Sequence, residues 1–180
     1  MNSGVFFDRD GTLIKDVHYL KDPNDIITIK DVSESLMKIK DVGYFVFMHT
    51  NQSGISRGYY DWDDVHACNQ KMLELYNLEP DFWDDVCIAP ESPNDSDLGW
   101  RKPSAKYELE MIKKYKLDIT TSWMVGDKWI DAETAINSNI NPALVKTGKT
   151  ISDETEKFAS VHQVPICENL QDFCENCLSL

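Results

Sequence analysis

The stretch Val5-Phe6-Phe7-Asp8-Arg9-Asp10-Gly11-Thr12-Leu13-Ile14 most narrows what this chain can become. Its three leading apolar residues do not alternate with polar ones, so they read as a short strand buried on both faces. The strand then stops in two carboxylates, a glycine and a threonine. Two acids so spaced would line one face if the strand continued. Gly11 tolerates the positive φ that turns the chain aside. Both carboxyl groups then reach the space beyond the strand's carboxyl end, where open α/β sheets bind ligands. An Asx-rich turn closing a strand is the plainer reading of such a string alone, and the remaining chain must decide.

Extended and helical patterns alternate from there. Residues 13–25, with His18, Tyr19 and Pro23, lack periodicity and read as an irregular excursion over the strand end. Val32, Leu36, Ile39 and Val42 fall at helical spacing, with Ser33 as cap and Gly43 as stop. Tyr44 to His49 is a second apolar strand, ending in Thr50-Asn51-Gln52-Ser53-Gly54. A helix from Asp61 to Tyr76 and a strand over Val86 to Ala89 precede a breaker-rich loop, Pro90 to Gly99. Trp100-Arg101-Lys102-Pro103 then enters a helix with Pro103 in its first turn and Leu109, Ile112 and Tyr115 on one face. Ser122 to Val125 is a strand ending in Gly126-Asp127-Lys128-Trp129-Ile130-Asp131, followed by a helix from Ala132 to Asn137. A fifth strand covers Pro142 to Lys146. Beyond Ile151 come a helix near Asp153 to Ser160, an extended piece at Val164 to Ile166 and a terminal helix from Asn169.

Such alternation calls for right-handed crossovers and a parallel sheet covered on both faces. The predicted fold class is therefore α/β, a three-layer Rossmann-like parallel sheet of about five strands in one domain over residues 1–180. No insertion is large enough for a separate cap domain. All strand ends share one rim, which gathers Asp8, Asp10, Thr50, Asn51, Lys102 and Asp127 from more than half the chain.

Three carboxylates converging there would repel one another and raise one another's pKa. A hard divalent ion relieves this, and Mg²⁺ characteristically takes one or two carboxylates plus phosphate oxygens. No P-loop string is present, which argues against nucleotide binding of that kind; the site instead suits attack on phosphorus by an aspartate. The formal charge of −13 opposes extended contact with nucleic acid. No apolar run reaches the length of a membrane span, and Met1 to Ser3 leaves no room for a signal peptide, so a cytoplasmic location is expected. The five cysteines are an odd number without a paired framework, which fits a reducing compartment. Cys174-x-x-Cys177 reads as one buried and one half-exposed thiol on the last helix.

Four strings in order, Asp8-Arg9-Asp10-Gly11-Thr12, Thr50-Asn51-Gln52-Ser53-Gly54, Arg101-Lys102-Pro103 and Gly126-Asp127 with Asp131, resemble the motifs of the haloacid dehalogenase superfamily of phosphatases. Thr50 through Ile55 with Arg57-Gly58 resembles the branch that contains the D-glycero-D-manno-heptose 1,7-bisphosphate and histidinol-phosphate phosphatases. The resemblance spans residues 4–148. It implies a Mg²⁺-dependent phosphomonoesterase working through an aspartyl-phosphate. Asp8 would be nucleophile and metal ligand. Asp10 would serve as general acid and base, with its carbonyl on the metal, and Asp127 would complete the metal set. Thr50 would hold a phosphoryl oxygen, Lys102 would neutralise phosphate and nucleophile, and Asp131 would orient Lys102 or the metal's waters. Asn51, Arg57, Arg101 and Lys128 are candidate substrate contacts; surface ion pairs are the plain alternative for the arginines, and solvent exposure for Lys128.

The substrate expected from this resemblance is a small phosphorylated sugar, a heptose bisphosphate first. Histidinol phosphate, a nucleic-acid 3′-phosphate and phosphate binding without turnover are the alternatives. No nucleic-acid or membrane partner is expected, and the protein is expected to be a monomer or small homo-oligomer. Relatives usually carry a zinc loop after the third strand. Here Cys87 stands at the first cysteine's position but Ala89 replaces the histidine, and no further cysteine precedes Lys102. Zinc is therefore not expected. Trp62, Trp100, Trp129, Tyr19 and Tyr59 are candidate apolar walls.

Overall fold

The computed structural model describes residues 2–95, 97 and 99–180. Its six parallel strands are β1 (Gly4–Phe7), β2 (Phe45–Asn51), β3 (Asp85–Ala89), β4 (Trp123–Gly126), β5 (Asn141–Val145) and β6 (Ile166–Cys167), in the spatial order β3-β2-β1-β4-β5-β6. The sixth strand is one more than expected. It is two residues long, overlaps the extended piece expected at Val164 to Ile166 and pairs with β5, too short for a pattern to mark it as a sheet strand.

The opening run is buried as its composition requires, with Val5, Phe6 and Phe7 all at 0% exposure. Alternation sends Val5 and Phe7 to one face, where they meet Val32, Leu36 and Ile39 of α1 (Val32–Asp41), Cys68 and Met72 of α2 (Trp62–Leu75), and Phe173 of α6 (Leu170–Phe173). Phe6 points the other way, stacking on Phe47 with centroids 4.6 Å apart and joining Tyr107 and Met111 of α3 (Lys106–Tyr115) and Ala135 of α4 (Trp129–Ser138). Ala159 of α5 (Asp153–His162) packs with Ala132 and Leu144. Burying a Phe or Leu side chain contributes about 1.5–3 kcal/mol, so residues such as these hold the helices against both faces of the sheet.

Several local expectations need correction. Ser33 does not cap α1. Asp31 stands at the N-cap without a side-chain cap bond, and the Ser33 hydroxyl donates to Tyr76 O at 2.6 Å instead. Pro103 precedes α3, which starts at Lys106. Leu109 is half exposed, so the buried face of α3 is Tyr107, Glu108 and Met111. The terminal helix breaks after Phe173 into a π-helical turn, Cys174–Leu178. Cys177 Sγ lies 3.9 Å from Cys167 Sγ on β6, so its thiol neighbour is not the one three residues back in sequence. Among the described residues no helix is long and apolar enough to cross a membrane.

Candidate active site

Strand β1 sits at the middle of the sheet, flanked by β2 and β4. Adjacent register aligns Phe7 with Met48 and Val125, so the residues just beyond converge. Asp8, at the end of β1, donates its N–H to Val125 O at 3.0 Å. Asp127 and Asp131 lie beyond the end of β4, and one carboxylate oxygen from each of Asp8, Asp127 and Asp131 falls within 4.8 Å of the others.

Lys102 crosses from the loop after β3 to compensate two of these charges. Its Nζ donates to Asp8 Oδ1 at 2.7 Å and to Asp131 Oδ1 at 2.6 Å, with all three side chains nearly sealed from solvent. Burial alone would favour the neutral amine, but the two carboxylates hold the Lys102 pKa above its ordinary value. Burial also pushes Asp8 up, and the Lys102 and Lys128 charges more than offset it, leaving its carboxyl below the usual range. Asp131, raised by burial, closes the first turn of α4 by accepting the Lys128 N–H at 3.1 Å.

Asp127 takes no part in the Lys102 contacts. Burial, then the neighbouring Asp8 charge, raises it to about 7. Its Oδ2 accepts the Lys149 N–H at 3.2 Å, whereas the buried Oδ1 has no hydrogen bond among the described residues. Lys128 Nζ approaches that oxygen at 3.2 Å without hydrogen-bond geometry, donates to the Asp10 main-chain oxygen at 3.1 Å, and lies 3.5 Å from Asp16 Oδ2. A positive group is thus already drawn to the position bounded by the Asp10 carbonyl and the Asp127 carboxylate. Gly11, at φ +99°, and Gly148 both crowd Asp127, and a Cβ at either would collide with its carboxylate. An orphaned buried oxygen, a neighbouring carbonyl and an all-oxygen donor set fit a hard divalent ion such as Mg²⁺.

The Asp10 carboxylate faces away from this cluster. Arg9, 1% exposed, donates Nε to its Oδ2 and Nη2 to its Oδ1, both at 3.1 Å, and anchors Nη1 on Asn69 at 2.9 Å. Gln52 Nε2 donates to Asp10 Oδ2 at 2.8 Å and to Thr50 Oγ1 at 2.7 Å, while Tyr60 holds the Gln52 oxygen at 2.6 Å. Thr50 Oγ1 is 3.4 Å from Asp10 Oδ2. Sequence reasoning missed Arg9 and Gln52 as individuals although both stand inside the quoted strings.

The remaining candidates spread around the mouth. Asn51 grips the Lys102 peptide on both sides, accepting its N–H at 3.0 Å and donating to its oxygen at 3.3 Å, so it positions the lysine. Arg57 donates to the Tyr19 hydroxyl at 2.9 Å, and Arg101 to the Glu91 oxygen at 3.2 Å. Partial burial and the Arg57 charge lower the Arg101 pKa. A cavity of about 150 Å³ opens between Arg9, Asp10, Tyr19, Asn51, Ser53 and Lys128. A larger hollow, about 1190 Å³, follows the edge of β3 and touches none of the clustered acids. Of the aromatic candidates, Tyr19 and Tyr59 meet edge to face at the mouth, 4.6 Å between centroids. Trp129 instead packs on Phe158 and His162, and Trp62 beside His66. Cys87 is buried beside Tyr107 and Met111, and burial pushes its thiol up to about 12. Ser96 and Leu98 of the adjacent loop lie outside the described residues.

Three kinds of similarity agree with this geometry. A family model described as "HAD-hyrolase-like" matches residues 99–173. The D-glycero-beta-D-manno-heptose-1,7-bisphosphate 7-phosphatase of Haemophilus influenzae is 35% identical over 166 residues, covering 88% of this chain and 90% of that protein. A D-glycero-alpha-D-manno-heptose-1,7-bisphosphate 7-phosphatase of Photorhabdus laumondii is 36% identical over 164 residues, covering 84% and 87%. The crystal structure of D,D-heptose 1,7-bisphosphate phosphatase from B. bronchiseptica, complexed with magnesium and phosphate, superposes with a TM-score of 0.84 at 25% identity over 98% of both chains. The chain belongs to the haloacid dehalogenase-like hydrolases, in the branch of the heptose-1,7-bisphosphate phosphatases.

Proposed function

We propose that this chain is a Mg²⁺-dependent phosphomonoesterase that removes the 7-phosphate of D-glycero-D-manno-heptose 1,7-bisphosphate. The observation that carries the reading is the buried Asp8 carboxylate, held by Lys102 within reach of the Asp127 carboxylate. Asp8, ionised and oriented, attacks phosphorus and forms an aspartyl-phosphate. Asp10 gives a proton to the leaving oxygen and then takes one from water, and Arg9 and Gln52 fix its carboxyl within reach of Thr50. Thr50 and Lys102 steady the phosphoryl oxygens. Asp8, Asp127 and the Asp10 carbonyl would hold Mg²⁺, which supplies charge neutralisation for phosphoryl transfer when bound. Asp131 keeps Lys102 aimed at Asp8.

Arg57, Arg101, Lys128 and Asn51 form the proposed substrate mouth. Two guanidinium groups near enough to depress Arg101 suit a second phosphate. The similarity does not select an anomer, since relatives named for the beta and the alpha sugar are 35% and 36% identical. Soluble protein supplied with both anomers, histidinol phosphate and nucleotides tests the reading. Mg²⁺-dependent phosphate release from a heptose bisphosphate, in preference to the others, is expected. Preference for histidinol phosphate or a DNA 3′-phosphate would overturn it.

A further inference from the structure

The proposed mechanism leaves unused a fully buried pair on the far side of β2. His49 and Glu108 are both 0% exposed, with Nδ1 and Oε1 2.6 Å apart. The other ring nitrogen, Nε2, lies 2.8 Å from the Trp100 main-chain oxygen. A carbonyl oxygen only accepts, so Nε2 must carry a proton. One further proton is then shared between Nδ1 and Oε1. Among the described residues Glu108 Oε2 has no hydrogen-bond partner, and none of them competes for that proton. The carboxyl group thereby fixes the imidazole tautomer, as it does for many functional histidines.

What His49 grips is the chain segment that delivers Lys102. The Trp100 N–H is held by Glu91 Oε1 at 3.0 Å and its oxygen by His49. Two residues on, the Lys102 peptide is held on both sides by Asn51. His49 and Asn51 lie two apart on β2 and share a face, while Thr50 between them reaches the Asp10 side. A seven-residue strand thus provides the phosphate-facing hydroxyl from one side and a two-point clamp on residues 100–102 from the other.

We propose that His49, oriented by Glu108, is a positioning residue for Lys102, setting where its ammonium stands relative to Asp8. The inference rests on the reading of Asp8 and Lys102 as the phosphoryl-transfer pair. It predicts an effect on turnover rather than on binding, because the lysine stays charged and near but is displaced. A displacement of about 1 Å from groups outside the chemistry can cost about 100-fold in rate.

Amide replacements separate the two ring nitrogens. In His49→Asn the side-chain nitrogen overlays Nδ1, so Glu108 keeps its donor and Trp100 loses one. In His49→Gln the nitrogen overlays Nε2 and the Trp100 bond survives. With p-nitrophenyl phosphate and heptose bisphosphate in Mg²⁺, His49→Asn is expected to lower kcat by about 10- to 100-fold with KM within about threefold, and His49→Gln to stay within about threefold of the parent kcat. Glu108→Gln donates its amide to Nδ1, leaves the proton on Nε2 and should retain kcat. Glu108→Leu frees the tautomer and should lower it, which keeps the test alive if His49→Asn does not fold. Folded His49→Asn or Glu108→Leu proteins with unchanged kcat would overturn the proposal. So would equal losses in His49→Asn and His49→Gln that merely track their melting temperatures. Absence of turnover by the unaltered protein overturns the phosphatase reading itself, and this inference with it.

Discussion

Lys102 Nζ stands 2.7 Å from Asp8 Oδ1, a bond that closes 94 residues of chain inside the protein. Phosphoryl transfer depends on alignment and charge neutralisation more than on covalent help from the enzyme. A buried carboxylate and ammonium held in fixed register supply both before substrate arrives.

Asp8→Asn keeps the side chain's shape and removes the attacking oxygen's charge. Steady-state turnover on p-nitrophenyl phosphate in Mg²⁺ should fall by at least about 1000-fold, in line with losses seen when nucleophiles are removed. Retained turnover would assign the nucleophile elsewhere.

Lys102→Met should destabilise as well as inactivate. It leaves Asp8 and Asp131 buried without their cation, and breaking such a pair costs about 3–5 kcal/mol. Adding Asp131→Asn should recover part of the melting temperature but no activity. Chemical denaturation of both variants measures the difference.

The pH response of the metal-free protein follows from Asp127, raised from 3.8 to about 7 by burial and then Asp8. Folded protein keeps this proton where the unfolded chain has released it, so stability falls as pH rises through that window and levels off above about 7. Asp131, also raised, acts in the same direction. Asp8, lowered, contributes stability that is lost only as pH falls below the usual carboxylate range. Mg²⁺ must displace the Asp127 proton, so its apparent affinity should weaken about tenfold per pH unit below about 7. Titration calorimetry with MgCl₂ reads this directly, and an affinity flat across that range would remove Asp127 from the binding set.

Gly148→Ala should impair metal binding more than folding. Its Cβ would strike the Asp127 carboxylate, and relieving such overpacking costs about 1–3 kcal/mol. A Mg²⁺ affinity equal to the parent's would show that the carboxylate can move aside.

Much of this site was legible because each apolar strand stops abruptly at polar residues, and parallel topology brings those stops to one rim. Asp8, Thr50 and Asp127 could be placed together on that ground. Arg9 could not, because a cation beside an acid in sequence says nothing of direction, and its anchor, Asn69, lies 60 residues away. Lys128 was undecided for the same reason, since the Asp10 carbonyl that receives it is main chain. Pro103 misled because proline suits a first helical turn, yet residues 100–102 are held by His49, Glu91 and Asn51 before α3 begins. The extended piece read at Val164 to Ile166 overlaps β6, but two residues carry no period that would mark it as a sixth strand of the sheet.

The two glycines flanking Asp127 have an outcome for ion choice. With two glycine backbones packed against its Oδ2, the carboxylate has little room to swing away and lengthen its bonds, so the seat has nearly one radius. Mg²⁺ prefers about 2.0–2.1 Å to oxygen and Ca²⁺ about 2.3–2.6 Å. Calcium should therefore be a poor substitute, excluded by stiffness rather than by charge.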